Sequence, residues 1–372
     1  MASGSLTSRH AVEHPGGARA PVRAVRLIAV PGSRRAGFPA TMRAPGRPVR
    51  GEAGAMAAVR VRWRRLVTAV LGTAAALTAV VPPPAGTVPP ERLAERTAEQ
   101  RPGADGALRR SVEAYGEHPR QRVTVHWQPR RALRGGLVVV HGGYWSYDTD
   151  WEEWARAFAR RGYAVFDAGY RLTPEVPWPA QRDDVTAALR WVRHNAAGYA
   201  VDPARVAVLG SSAGGQLAVA AAVYGAGAAH SAGVVALSPV ASPYRAWLDG
   251  GAPGATAAER RLRASAERLA GCAPDGTPSL SADPSCRRAW WSLDPRSMAS
   301  GPDDAPMLLL HSAHDFVPAY HSEEVAAAER AQGMPADDVR VRVVPGSAHG
   351  MRLLTEAGVV GEIEGWLRAR IG

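Results

Sequence analysis

From about Tyr115 the chain alternates two hydrophobic patterns, short apolar runs of strand length and longer segments whose apolar residues recur at helical spacing. That alternation predicts an α/β fold with a doubly wound, mostly parallel sheet. Gln121–Pro129 (QRVTVHWQP) alternates apolar and polar residues as an outer strand does, whereas Leu137–Val140 (LVVV) is apolar throughout, as expected of a strand covered on both faces. Asp148–Gly162 opens on capping-type and acidic residues and closes on Arg-Arg-Gly, which predicts a helix. Tyr163–Leu172 reads as the next strand, and Pro179–Ala196 as a helix with Val185, Ala188, Leu189 and Val192 on one face. Arg205–Gly210 reads as a strand and Gln216–Gly225 as the helix that follows it. Further apolar strands begin at Gly233 and Pro306, and the chain finishes with a helix over 322–333, a strand over Val339–Val344 and a helix over Thr355–Ile371. Residues 243–300 hold both cysteines, Trp247, Trp290 and Trp291 with little sheet-like pattern, so an insertion or lid is expected there.

Charge changes the picture only at the front. Of 372 residues, 45 are basic and 34 acidic, but residues 1–85 carry 13 Arg against Glu13 and Glu52 and so hold the whole excess of +11. From residue 86 onward 32 basic residues face 32 acidic ones, which leaves no electrostatic footprint for nucleic acid. Every basic residue is Arg, a bias expected of a GC-rich genome.

Residues 1–55 are rich in Gly, Pro, Ala and Arg without apolar periodicity and read as a disordered leader, with translation expected to start at Met56 or Met42. Residues 56–85 have a basic start, an apolar stretch over Leu66–Val81 and a proline-rich exit, the layout of a secretory signal peptide. The alternative is a membrane anchor through an uncleaved 66–81 segment, which falls short of the roughly 20 residues needed to span a bilayer. The expected organisation is thus a leader, a signal peptide, a linker and N-terminal extension over 86–114, and an α/β domain over 115–372. Secretion, with no stable membrane insertion after cleavage, is the expectation. An oxidising compartment permits Cys272 and Cys286 to pair; the alternative is two free thiols. Without His at ligand spacing they make no metal site.

The candidate chemistry lies where the predicted strand at Arg205–Gly210 runs into Gly210-Ser211-Ser212-Ala213-Gly214. Glycines two positions either side of Ser212 permit a sharp strand-to-helix turn that exposes the serine hydroxyl. A hydroxyl needs a base to take its proton and a carboxylate to orient that base, in the chain order Ser, acid, His. Asp315 follows the strand in LLLHSAHDFVP and His349 follows the next strand in VRVVPGSAHG. Asp303 and Asp304 precede their strand, the wrong end for catalysis in such a sheet. Among other histidines, His141 is expected to brace the glycine loop, and His311, His314 and His321 to be structural or superficial. The loop His141-Gly142-Gly143-Tyr144-Trp145 is the candidate oxyanion site, with Gly142 making the turn, Gly143 and Tyr144 donating amides, and Ala213 adding the amide after the nucleophile. Tyr144, Trp145 and Ser211 are candidate walls of the substrate pocket; for the aromatics the alternative is packing beneath the loop.

HGGYW, YRLTPEVPWPAQRDDVTAALRWV, GSSAGGQLA, HSAHDFVP and PGSAHG, in that order, resemble the esterase branch of the α/β-hydrolase superfamily, which includes hormone-sensitive-lipase-like carboxylesterases and kynurenine formamidase. The resemblance implies Ser212 as nucleophile, His349 as general base and acid, and Asp315 as its orienting carboxylate. Tyr144 stands where many lipase-like members have a third glycine, which is closer to the formamidase form, and the acid loop is one residue shorter than that pattern. The expected function is an exported serine hydrolase that cleaves small carboxylic esters through an acyl-enzyme, with no metal or cofactor. An arylformamidase acting on N-formylkynurenine is the alternative, although an export signal speaks against a substrate of cytoplasmic tryptophan breakdown. A non-catalytic binding protein on the same fold is the other class, and its mark would be a lost triad residue. Sequence leaves the oligomeric state open.

Overall fold

The computed structural model describes residues 107–129, 133–225, 227–276 and 280–372. The segments read as leader and signal peptide, and the expected linker up to residue 106, lie outside the described residues. Eight strands form one sheet in the order β1-β2-β4-β3-β5-β6-β7-β8. These are β1 (Arg109–Ala114), β2 (Arg122–Trp127), β3 (Gly135–Val140), β4 (Tyr163–Ala168), β5 (Val206–Ser211), β6 (Val234–Leu237), β7 (Met307–Ser312) and β8 (Val339–Val344). The β1–β2 and β2–β4 pairs are antiparallel and all others parallel.

β1 lies inside the segment read as a linker, so the sheet begins at Arg109 and not after residue 115. Its sequence, RRSVEA, alternates half-buried with exposed residues, and with Val112 exposed it carries no apolar stripe. Edge strands of this kind are held by backbone pairing and leave little hydrophobic signal.

The continuous apolar run of β3 follows from its place in the middle of the sheet. Val138 and Val140 pack on one face with Val185 and Leu189 of α2 (Ala180–Asn195) and Leu217 of α3 (Ala213–Tyr224). Leu137 and Val139 pack on the other with Phe158 of α1 (Glu152–Arg160) and Ile363 and Leu367 of α8 (Val359–Ile371). Fully burying one such side chain contributes about 1.5–3 kcal/mol. α3 starts directly after Ser212, three residues before the expected start, and is buried from Ala213 through Ala222. A helix buried all round has no polar face, which is why its first turn gave no periodic signal.

The insertion is helical, with α4 (Pro243–Asp249), α5 (Ala257–Ala270) and α6 (Pro284–Leu293), followed by α7 (Tyr320–Ala331) between β7 and β8. Thr256 and Glu259 form a reciprocal capping box at the start of α5, and Gly271 ends it in a left-handed conformation. Asp283 caps α6, with Pro284 in its first turn. A disulfide joins Cys272 to Cys286, Cα atoms 5.9 Å apart, and so ties the exit of α5 to α6. Gln216 in α3 donates to the Leu293 carbonyl (3.0 Å) and Trp178 donates to Ser292 Oγ (2.8 Å), which fastens α6 to the body. Among the described residues no helix is long and apolar enough to cross a membrane.

Candidate active site

At the end of β5 the backbone turns through Ser212 with φ 55°, a left-handed conformation that costs an L-residue roughly 1–2 kcal/mol. The flanking glycines permit it by removing bulk. A Cβ on Gly210 would lie 2.2 Å from the Gly214 carbonyl oxygen, and one on Gly214 would lie 2.2 Å from the His141 oxygen and 2.3 Å from the Val140 oxygen. The elbow is therefore wedged against the end of β3, where the glycine loop begins.

Three loops converge on Ser212. Its Oγ is 2.8 Å from His349 Nε2, and His349 Nδ1 is 2.8 Å from Asp315 Oδ1. A carboxylate only accepts, so Nδ1 carries the proton and Nε2 is left to accept from the serine hydroxyl. The Asp315 side chain is buried while the His349 side chain remains 23 % exposed, which leaves the base accessible and its anchor dry. Asp315 also accepts from the Val317 amide (3.0 Å) and from Ser238 Oγ.

Ser238 escaped the sequence reading. Buried just past β6 with φ 47°, it donates to Asp315 and accepts from the Gly350 amide (2.9 Å), so one hydroxyl pins the acid loop to the histidine loop. The only cue was its place at a strand's carboxyl end, in LSP, where a site residue of such a sheet falls. Phe316 packs against the His349 ring with centroids 4.2 Å apart and limits its swing.

In the glycine loop the roles differ from expectation. Gly142 does not make the turn; Gly143 (φ 107°), Tyr144 (φ 54°) and Trp145 (φ 56°) do. Gly142 is instead a close-approach position, since a Cβ there would lie 3.0 Å from the Ser211 oxygen and 3.3 Å from Ser212 Cβ. Its amide is occupied by Thr149 Oγ1 (3.1 Å), so it is not free for an oxyanion. Among the described residues no acceptor within the chain takes the amides of Gly143, Tyr144 or Ala213.

Trp145 is no pocket wall: it is fully buried, donates to Gln216 Oε1 (3.1 Å), and packs beneath the loop. Ser211 is also buried, and its Oγ accepts from the Met351 amide (2.9 Å), which braces the histidine loop and does not line a pocket. Tyr144 is half-buried at the loop's edge, where its ring lies under Arg261 of α5.

Of the remaining histidines, His141 stacks on Tyr170 at 4.2 Å and its Nδ1 lies 2.7 Å from the Gly142 oxygen, a brace for the loop. His311 is buried between the Val317 carbonyl and Ser322 Oγ, and burial pulls its pKa down to about 4. Burial likewise pulls His321 down to about 3, and it accepts from the Ser242 amide. His314 is exposed.

The BD-FAE family model matches residues 131–233, which span the glycine loop and the serine elbow. Over 137 residues the chain is 44% identical to carboxylesterase NlhH of Mycobacterium tuberculosis, covering 35% of this chain and 39% of that protein. Over 108 residues it is 39% identical to arylacetamide deacetylase of Bos taurus, covering 27% of each. The chain thus spans well under half the length of these curated relatives. Among solved structures, esterase B from Lactobacillus rhamnosis superposes with a TM-score of 0.56 at 22% identity, over 75% of this chain and 90% of that one. Strand order, the serine elbow at the end of β5 and the likeness to esterase B together show an α/β-hydrolase fold, and over the matched segments the chain is similar to carboxylesterase and deacetylase sequences.

Proposed function

We propose that the protein is a serine hydrolase of small carboxylic esters that works through an acyl-enzyme. The observation that carries this reading is the unbroken line from Asp315 through His349 to the Ser212 hydroxyl, both contacts at 2.8 Å. In the proposed reaction His349 Nε2 takes the Ser212 proton as Oγ adds to the ester carbonyl, and returns it to the departing alcohol. Asp315 orients His349 through Nδ1 and stabilises the imidazolium formed in between. The free amides of Ala213, Gly143 and Tyr144 are the donors for the oxyanion, and losing one such donor costs about 3 kcal/mol in the transition state. Water then repeats the sequence on the acyl-enzyme with His349 again as base.

The esterase and deacetylase names of the similar proteins support an ester or amide acyl group as the substrate class. Export completes the proposal, supported by the signal-like pattern of residues 56–85 and by a disulfide, a bond that persists in oxidising compartments. The test is fluorophosphonate labelling of the purified full chain beside Ser212→Ala, with p-nitrophenyl acetate hydrolysis followed in the same samples. Labelling and turnover that both vanish in the variant are expected. A folded wild-type chain that neither labels nor turns over ester overturns the proposal.

A further inference from the structure

Arg261, on the exposed side of α5, lays its guanidinium over two rings of the glycine loop, 4.5 Å from the Tyr144 centroid and 5.5 Å from the Tyr147 centroid. Tyr144 belongs to the loop that meets the serine elbow at Gly142, and among the described residues its own amide has no acceptor within the chain, so this cation rests on a ring of the loop that builds the proposed site. Of the other arginines of the insertion, Arg245 pairs with Glu324 (2.9 Å), Arg263 with Glu267 (3.6 Å) and Arg296 with Asp294, while Arg260, Arg268 and Arg287 donate to the Ala255 carbonyl, Ser265 Oγ and the Ser281 carbonyl. Among the described residues no acid pairs with Arg261, and no hydrogen bond leaves its guanidinium.

Contact with ring faces takes up none of a guanidinium's N–H donors, and the donor fork that is left matches a carboxylate. Two rings also hold the side chain in place, so less conformational freedom is lost when a ligand arrives. Burial raises the Tyr144 phenol above its ordinary pKa, so the ring stays neutral and supplies no internal counter-charge.

We propose that Arg261 is a specificity residue for esters that carry a carboxylate on the acyl or the alcohol part, gripping that group while the ester carbonyl lies at Ser212. This rests on the hydrolase reading above. The test compares isosteric pairs on the full chain at low salt: monoethyl adipate against its monoamide for the acyl side, and 4-acetoxybenzoate against 4-acetoxybenzamide for the alcohol side. In at least one pair the carboxylate is expected to be favoured tenfold or more in kcat/KM. Arg261→Gln should bring that ratio close to one, and Arg261→Lys should keep part of it, with circular dichroism showing both variants folded. A wild-type ratio within twofold in both pairs, or a ratio that survives Arg261→Gln, overturns the assignment. If neither pair is turned over, fluorophosphonate labelling and p-nitrophenyl acetate hydrolysis of the same samples decide whether the hydrolase reading fails. Calorimetric titration of the same four compounds then decides the anion site alone: binding confined to the carboxylates and lost in Arg261→Gln upholds it, and no such binding overturns it.

Discussion

Replacing Ser238 by Ala removes a hydroxyl that touches no substrate in the proposed reaction, yet it should slow that reaction. The Ser238 hydroxyl donates to the Asp315 carboxylate and accepts from the Gly350 amide, next to His349. A hydrogen bond to a charged group contributes about 1.5–3 kcal/mol, and a buried amide left without its acceptor costs about 1–3 kcal/mol. If about 2 kcal/mol of this is felt when His349 becomes an imidazolium, kcat/KM falls roughly thirtyfold. Because Ser238 is a positioning residue, the loss should lie in kcat, with KM nearly unchanged. Ser238→Gly separates positioning from backbone strain, since φ 47° suits glycine without cost. It should lose less stability than Ser238→Ala but as much kcat. The assay is steady-state hydrolysis of p-nitrophenyl acetate beside thermal unfolding of each variant. A Ser238→Ala enzyme within threefold of wild type in kcat, or a glycine variant that recovers the rate, refutes the reasoning.

Three other outcomes can be checked by unfolding. Replacing both Cys272 and Cys286 by Ser opens a loop of 14 residues and should cost about 3 kcal/mol by the chain-entropy relation, so a loss below 1 kcal/mol in urea unfolding counts against that account. Gly214→Ala drives a methyl into two backbone oxygens of the β3 exit and should cost about 3 kcal/mol or more, seen as an insoluble chain or a large drop in Tm. Burial keeps His311 neutral down to about pH 4, whereas in the unfolded chain it titrates near 6.5. Its contribution is complete above pH 6.5 and is lost as pH falls toward 4, about 3 kcal/mol in all. Unfolding free energy should therefore decline across that window, less steeply in His311→Gln, and equal slopes would contradict the assignment.

What could be read from the sequence was local. The central strands announce themselves because burial on both faces demands unbroken apolar runs, as in β3 and β7. The elbow is legible because both glycines are forced by backbone oxygens close in sequence or directly across the sheet. Features set by partners far along the chain were not legible. Ser238 lies 77 residues from Asp315 and 112 from Gly350, and nothing around LSP shows that its hydroxyl will be shared between them. Gly142 is expected to make the turn, yet the turn falls on Gly143 to Trp145 and Thr149 takes the Gly142 amide, an outcome that depends on how the loop folds back. Trp145 and Ser211 were placed in the pocket by proximity alone, and the left-handed run from Gly143 to Trp145 turns the indole inward. β1 was missed because an edge strand with polar neighbours has no core to declare it.

The serine, the acid and the histidine hang from β5, β7 and β8, and Ser212 meets a partner 137 residues away. No fragment that ends before β8 has paired can activate the serine, however well its elbow is formed. On the proposed reading, Ser212 is until then an ordinary hydroxyl, without reactivity toward an ester. Reactivity is thus gated by completion of the fold. During refolding, fluorophosphonate labelling should rise with the last native signal and never ahead of it.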